Sequence, residues 1–403
     1  MMIPQQQTRL HKNKEQWYRD LVSGRQKGFI ANLLRKILSV FALLYQAVTS
    51  VRNWLYDHNW LKSRSVGCPS VSVGNITMGG TGKTPFVAWI ARFYLTRKVR
   101  PGLISRGYKA EKQQKSDILY HNSAENSSPE TFQQQNDEAM ELGRLLPTVP
   151  HFLGHSRYHV AAALRKKHPD VSLLILDDAF QHRAFSRTLD LVLIDALNPF
   201  GFNRTFPAGL LRESSTGLKR AKMILLSHAN LVSPERRNEI RHEVEKLAPD
   251  TLWGEICHQP VRLVQWHGSP AYDRNTSPLY ETSLSLPQWR EQQKPEDSFL
   301  AFCGLGNPDG FYQTLKEESL PVTSCYSFPD HHHYSASDLE RLFRMAEQSK
   351  ATVFLTTMKD LVKIRRPNIG NRPLYACEIG IQFLKGQNEL ECLLENLIPR
   401  KVS

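Results

Sequence analysis

The residues Gly79-Gly80-Thr81-Gly82-Lys83-Thr84 combine a glycine-rich turn with a cation and a hydroxyl. Glycines let backbone N–H groups close around phosphate oxygens, and a helix starting there adds the positive end of its dipole. Lys83 would reach the β- and γ-phosphates of a nucleoside triphosphate, and the Thr84 hydroxyl would help hold Mg²⁺. The common pattern G-x-x-x-x-G-K-[ST] puts its first glycine where Thr77 stands. The cradle Thr77-Met78-Gly79-Gly80-Thr81-Gly82 is therefore a denser variant of that loop. A glycine turn without a ligand is the competing reading.

A second signal is Leu173-Leu174-Ile175-Leu176-Asp177-Asp178. An acid at the end of an apolar strand can hold a Mg²⁺ shell beside a phosphate loop. The plainer reading of the pair is a turn or a helix cap. Asn136-Asp137-Glu138 offers a carboxylate that could orient or deprotonate an acceptor hydroxyl, although Asp before a helix commonly caps it. In Asp330-His331-His332-His333-Tyr334 no Cys/His cluster at zinc spacing accompanies the three histidines, which favours a surface loop. A carboxylate–imidazole pair there would suit a proton-handling role.

These groups need a scaffold, and the apolar runs supply one. Val71–Gly74 reads as a buried strand and Thr84–Thr96 as a helix, with further strands at Gly102–Ser105, Val171–Leu176, Leu189–Ile194 and Met223–Leu226. Continuous apolar strands alternating with helices predict an α/β fold of the P-loop NTPase type, a mostly parallel sheet covered on both faces. Between Ala248 and Ser298 proline, tryptophan and polar residues break the rhythm. The pattern restarts with strands at Phe299–Cys303, Val322–Phe328 and Ala351–Thr357. The expected division is a membrane-associating segment over 1–65, a kinase core over 66–247, a linker over 248–298 and a smaller α/β domain over 299–403.

At 403 residues the chain is long enough for two domains, and 40% hydrophobic with 23% charged residues suits a folded protein. A net charge of +13 suggests an anionic partner. The six cysteines form no C-x-x-C pair and read as buried, reduced thiols of a cytosolic protein. No secretory signal peptide is evident. Over Phe29–Tyr56, Ile30, Leu33, Leu34, Ile37, Leu38, Phe41, Leu44, Tyr45 and Val48 recur at helical spacing. The longest uncharged run, Ile37 to Val51, is short for a spanning helix. Basic residues precede it and Trp54 and Trp60 follow, which suits a helix lying in a membrane interface. An amphipathic helix packed on the protein's own core is the alternative.

With these motifs in order, the chain resembles the tetraacyldisaccharide 4'-kinase family, the lipid A 4'-kinases of Gram-negative bacteria. The carriers are Val73 through Pro85, Ser105-Arg106-Gly107-Tyr108, Asp137-Glu138, Asp177-Asp178-Ala179-Phe180-Gln181-His182, Pro207 through Glu213, Gly304 through Pro308, Asp330-His331-His332 and Lys359-Asp360. The resemblance implies transfer of the ATP γ-phosphoryl group to the 4'-hydroxyl of a tetraacylated glucosamine disaccharide 1-phosphate. It implies a peripheral enzyme on the cytoplasmic face of the inner membrane, with ATP and Mg²⁺ as cofactors and no nucleic-acid partner. By motif, Asp137 corresponds to the family's catalytic carboxylate, with His331 as its histidine. Lys83 and Thr84 correspond to phosphate and Mg²⁺ contacts, Asp177 and Asp178 to the acidic pair, and Arg106, Arg157 and Arg212 to functional arginines. The family usually has Pro where Ala139 stands, Gly where Ala179 stands and Glu where Met358 stands.

Three other classes compete. In a membrane-associated P-loop switch ATPase many relatives carry a second lysine where this chain has Met78. A nucleic-acid binder would use the positive charge, but no recognition motif accompanies it. A non-enzymatic membrane scaffold leaves the paired nucleotide motifs without a purpose.

Overall fold

A computed structural model describes residues 14–107, 119–121, 137–266, 281–292, 297–305, 308–330 and 332–398. Helices Lys14–Val22 and Phe29–Asp57 come first. The following strands are β1 (Ser70–Asn75), β2 (Pro101–Ser105), β3 (Leu119–His121), β4 (His151–Leu153), β5 (Leu173–Asp177), β6 (Leu189–Asp195) and β7 (Met223–Ser227). They continue with β8 (Leu252–Trp266), β9 (Glu281–Ser285), β10 (Phe299–Cys303), β11 (Val322–Ser327), β12 (Val353–Thr357), β13 (Asn368–Ile369) and β14 (Arg372–Lys385).

Among the described residues these strands form one 14-stranded sheet in the order β11-β10-β12-β14-β8-β7-β6-β1-β5-β2-β4-β3, with β13 on β14 and β9 on β8. The central strands are apolar throughout because both faces are covered. In β5, Leu173 and Ile175 share a core with Phe86, Ile90 and Tyr94 of the helix Lys83–Thr96. Leu174 and Leu176 point the other way, towards Val160, Ala161 and Leu164 of the helix Arg157–Lys167. A one-residue slip would exchange the two faces, so this pattern fixes the register.

The sheet contains two parallel blocks joined by an antiparallel ribbon. One block runs from β8 to β4, and the other contains β10, β11, β12 and β14. Strand β8 begins beside β7, then continues past it and pairs with β14 as far as Gln265 opposite Tyr375. Because β14 runs back along β8, the carboxyl ends of the two blocks face each other. In open α/β sheets that edge is where ligands bind.

The 248–298 stretch, expected as a linker, therefore holds the longest strand among the described residues, together with β9 and the helix Leu286–Gln292. Pro260 sits where the β8–β14 register shifts, a bulge position at which a missing N–H is tolerated. All six cysteines are free; Cys68, Cys257, Cys303 and Cys377 are buried, whereas Cys325 and Cys392 are exposed.

Candidate active site

The glycine-rich loop leaves β1 at its carboxyl end and enters the helix Lys83–Thr96 through Gly82, whose φ of 70° is left-handed. That conformation favours glycine. Neither a side-chain cap nor a first-turn acid satisfies this helix start. Its first N–H groups are therefore available to an anion. A second strand-like segment clamps the loop. Thr77 pairs with Leu211, the Met78 N–H donates to the Leu210 carbonyl at 2.7 Å, and the Arg212 N–H donates to the Ile76 carbonyl at 2.8 Å. Asn75 Nδ2 donates to the Thr77 carbonyl at 2.8 Å. The Pro207–Glu213 segment is thus the outer wall of the loop. Gly74 is required for a different reason: a Cβ there would lie 2.5 Å from the Phe180 Cβ.

The register places Asp177 opposite Val73, one strand over from the loop. Asp178 follows in a left-handed conformation, with φ 49°. Its Oδ1 lies 3.5 Å from Lys83 Nζ, and Arg212 Nη1 donates to its two oxygens at 2.7 and 2.8 Å. Burial alone would raise this carboxyl, but Lys83 and Arg212 outweigh it and hold the group well below the usual carboxylate range. Asp177 goes the other way. Burial, then the charges of Glu138 and Asp178, push it up to about 7, although Lys83 and Arg157 pull against them. Its Oδ2 has Ser105 Oγ at 3.4 Å, and His151 Nε2 lies 3.0 Å from the same hydroxyl. The surroundings thus shift the proton affinities of two adjacent carboxyls in opposite directions.

A pH dependence follows for Asp177. Its folded-state value lies above its unfolded one, so the native state holds the proton more tightly. The resulting stabilisation is complete below pH ~4, declines as pH rises and is lost above about 7. Asp177→Asn should flatten this slope. In urea unfolding of the ligand-free protein at pH 5 and pH 7.5, the unmutated chain should lose on the order of 2 kcal/mol more than the variant. Equal losses in the two proteins would refute the assignment.

Arg157 is buried and held by backbone: Nη1 donates to the Gly154 carbonyl at 2.9 Å and Nη2 to the Asp177 carbonyl at 3.3 Å. Burial brings it down to about 10 against the pull of Asp177 and Asp178. Arg106 stands exposed just beyond β2. Its charge adds to that of Arg157 in a field that, with burial as the main cause, takes His182 down to about 4.

The facing edge belongs to the second block. Gly304 follows β10, Asp330 follows β11, and Lys359-Asp360 opens the helix Met358–Ile364 after β12. Lys359 Nζ lies 3.0 Å from Asp330 Oδ1. The fully buried Asp360 accepts from the Gly304 N–H at 3.0 Å and the Thr357 hydroxyl at 2.7 Å. His331 lies outside the described residues. Its neighbour His332 makes the carboxylate–imidazole pair in this loop, with Nε2 3.1 Å from Asp338 Oδ2. Asp137 opens the helix Asp137–Leu145, which packs on Met358–Ile364. Burial, then Glu138, pushes Glu141 of this helix up to about 8, with Lys359 opposing. Glu138 also acts on Asp177, so the helix start stands between the acidic pair and the second block.

A family model described as tetraacyldisaccharide-1-P 4'-kinase matches residues 34–399. The chain belongs to this kinase family. Curated relatives named tetraacyldisaccharide 4'-kinase include one from Halothermothrix orenii, 33% identical over 396 residues that cover 94% of this chain and 97% of the relative. Another, from Elusimicrobium minutum, is 33% identical over 91% of this chain and 92% of its own length. The crystal structure of LpxK from Aquifex aeolicus in complex with ATP superposes with a TM-score of 0.68 at 25% identity, covering 91% of this chain and all of that one.

The 4'-kinase fold brings Lys83, Thr84, Asp177, Asp178 and Arg212 to one sheet edge. It also reveals supporting residues that the sequence reading missed. Tyr45 donates its hydroxyl to the Arg212 carbonyl at 2.8 Å. The buried Glu213 accepts from Asn53 Nδ2 at 2.8 Å, Gln181 Nε2 at 3.0 Å and Arg220 Nη2 at 2.8 Å. Tyr45 and Asn53 lie in the helix Phe29–Asp57, so that helix is docked on the wall of the phosphate loop. No local sequence signal links residues so far apart.

Proposed function

We propose that this 4'-kinase transfers the γ-phosphoryl group of ATP to the 4'-hydroxyl of tetraacyldisaccharide 1-phosphate, giving the bis-phosphorylated lipid of lipid A biosynthesis. The observation that supports it best is the pairing of Lys83 and Arg212 on Asp178 at an uncapped helix start. Two fixed cations beside an open phosphate cradle suit a reaction in which charge spreads over a transferring phosphoryl group. In this reading the Thr77–Thr84 backbone cradles the phosphates, Lys83 contacts the β- and γ-phosphates, and Arg106 lines the nucleotide side. The bond from γ-phosphorus to the bridging oxygen of ADP breaks as the bond to the 4'-oxygen forms. Asp137 takes or aligns the hydroxyl proton, and His331 shares it. ATP-dependent formation of a bis-phosphorylated lipid in mixed micelles tests the reading. ATP hydrolysis that responds to bilayers without a lipid product would replace it with a switch ATPase.

The donor set suits Mg²⁺. Thr84 offers a hydroxyl in the first helical turn, and Asp177 an enclosed carboxyl whose raised affinity for protons a cation would relieve. Asp178 adds a second carboxylate. Mg²⁺ commonly takes one or two carboxylates with phosphate oxygens and water, and no larger His/Cys/Asp/Glu cluster occurs among the described residues. When bound, the ion offsets charge on the phosphates.

An acylated acceptor stays in the bilayer, so the enzyme must come to it. Along the helix Phe29–Asp57, Ile30, Leu33, Ile37, Phe41, Leu44, Val48 and Val51 are exposed at helical spacing. The opposite side is bonded to the body: Arg204 Nη1 donates to Ser39 Oγ at 3.1 Å, and Thr205 Oγ1 to the Ala42 carbonyl at 3.2 Å. With Tyr45 and Asn53, these bonds tie the helix down from residue 39 to residue 53. Crossing the bilayer would break them, which favours a helix lying in the membrane interface; in this reading the surface is the cytoplasmic face of the inner membrane. Phe41→Asp with Leu44→Asp should lower binding to anionic vesicles more than ~10-fold, since each buried apolar side chain is worth about 1.5–3 kcal/mol. Co-sedimentation measures this; unchanged binding with an unchanged unfolding midpoint would refute the interfacial assignment.

A further inference from the structure

Behind the phosphate loop, on the side away from the open N–H groups, stands His258 of β8. Its ring is buried, and Nε2 lies 3.2 Å from the Gly82 carbonyl oxygen. A carbonyl only accepts, so Nε2 carries the hydrogen and the tautomer is set. The fit is close: a Cβ on Gly82 would fall 2.0 Å from Nε2. His228, just past β7, packs its ring 4.5 Å from that of His258 between centroids. His228 Nδ1 lies 3.1 Å from Oδ1 of Asp195, the last residue of β6. Asp195, His228 and His258 thus form a column from the carboxyl ends of β6 and β7 to the middle of the longer β8, ending on the loop.

Gly82 C=O and Lys83 N–H belong to one peptide unit. A donor on the oxygen fixes the orientation of that unit and polarises it, which strengthens the N–H on the other side. Lys83 N–H is one of the helix-start groups left open for phosphate. We infer that His258 is a positioning residue for ATP: by donating to Gly82 it sets the Gly82–Lys83 peptide that receives the phosphates. Burial, reinforced by His228, takes His258 down to about 3, so the neutral donor persists across the working range of pH. On β8, His258 lies opposite Ile381 of β14, so the loop also rests on the ribbon joining the two blocks.

The inference rests on the ATP-dependent kinase reading, and the test separates the two. In the full-length protein, the amide nitrogen of His258→Gln comes near the position of Nε2. The amide of His258→Asn is too short to reach Gly82, and His258→Leu has no donor. Calorimetry gives the Kd for ATP, and steady-state kinetics give KM for ATP and for the lipid acceptor separately. Loss of one hydrogen bond predicts about 3–10-fold weaker ATP binding and higher KM for ATP in the Asn and Leu variants. The lipid KM should stay within about twofold, and the Gln variant should bind ATP within about twofold of the unmutated protein. Should the Leu variant not fold, Asn against Gln carries the comparison alone. Equal ATP affinity in all variants, equal loss in Gln and Asn, or a parallel rise in both KM values would overturn the role of His258. An unmutated protein that does not bind ATP would overturn the kinase reading as well.

Discussion

Lys83→Ala is expected to leave a folded protein whose lipid phosphorylation falls by at least about 10²–10³-fold, the usual cost of removing one fixed group that stabilises transition-state charge. The side chain is largely enclosed, with its ammonium 3.5 Å from Asp178. In the variant Asp178 still has Arg212 at 2.7 Å, so the change strands no unpaired buried carboxylate and the fold should survive. Phosphate loses more than Asp178 does. Arg212 is held on both oxygens of that carboxylate, so it adds its charge from a fixed position and does not take over the Lys83 contact to the phosphates. Lys83→Arg should rescue poorly, because a planar fork does not replace a compact ammonium beside a tight glycine loop. A second readout comes from Asp177, whose raised carboxyl Lys83 pulls back down. Without Lys83 the Asp177 titration should move to higher pH. Product formation in mixed micelles within about threefold of normal would reject the phosphate role of Lys83.

What the sequence exposes is what is local. Strand β1, its loop and the following helix are contiguous, and β5 ends in Asp177 with Asp178 directly after it, so both halves of the phosphate site are readable as uninterrupted apolar runs with polar ends. Those runs exist because both sheet faces are covered. The ribbon is different. Strand β8 leaves the covered region, becomes partly exposed and carries Trp253 and Pro260, so its pattern reads as a break. Only pairing with β14, more than a hundred residues later, makes it a strand. The same limit hides Tyr45 on Arg212, Asn53 on Glu213 and His258 on Gly82, each of which joins separate parts of the chain. The amphipathic spacing of Phe29–Tyr56 shows that one face is apolar. It does not show that the polar face is bonded to the wall of the phosphate loop. The apolar face is thus free for a bilayer, while the bonded face fixes the helix against the site.

Asp137→Ala is expected to lower turnover by about 10²–10⁴-fold, the range for a positioned general base, with ATP affinity within about twofold of normal. The acid opens a helix whose start lies between the Asp177–Asp178 pair and the second block. In the proposed reaction an acceptor hydroxyl facing the γ-phosphate would approach from that space. The competing explanation is mechanical: Asp at a helix start commonly caps it, and Ala there costs about 0.5–2 kcal/mol of stability. Asp137→Asn separates the two, because Asn caps as well as Asp but cannot take a proton. If the carboxylate handles the proton, the Asn variant keeps its unfolding midpoint and ATP affinity yet loses turnover as the Ala variant does. If the group only caps, Asn restores turnover and Ala alone is impaired, in proportion to lost stability. His331→Ala then provides a check on the partnership. Residues that share one proton are strongly non-additive, so the Asp137→Ala, His331→Ala double variant should be little worse than Asp137→Ala alone. Losses that multiply would show that the two act independently.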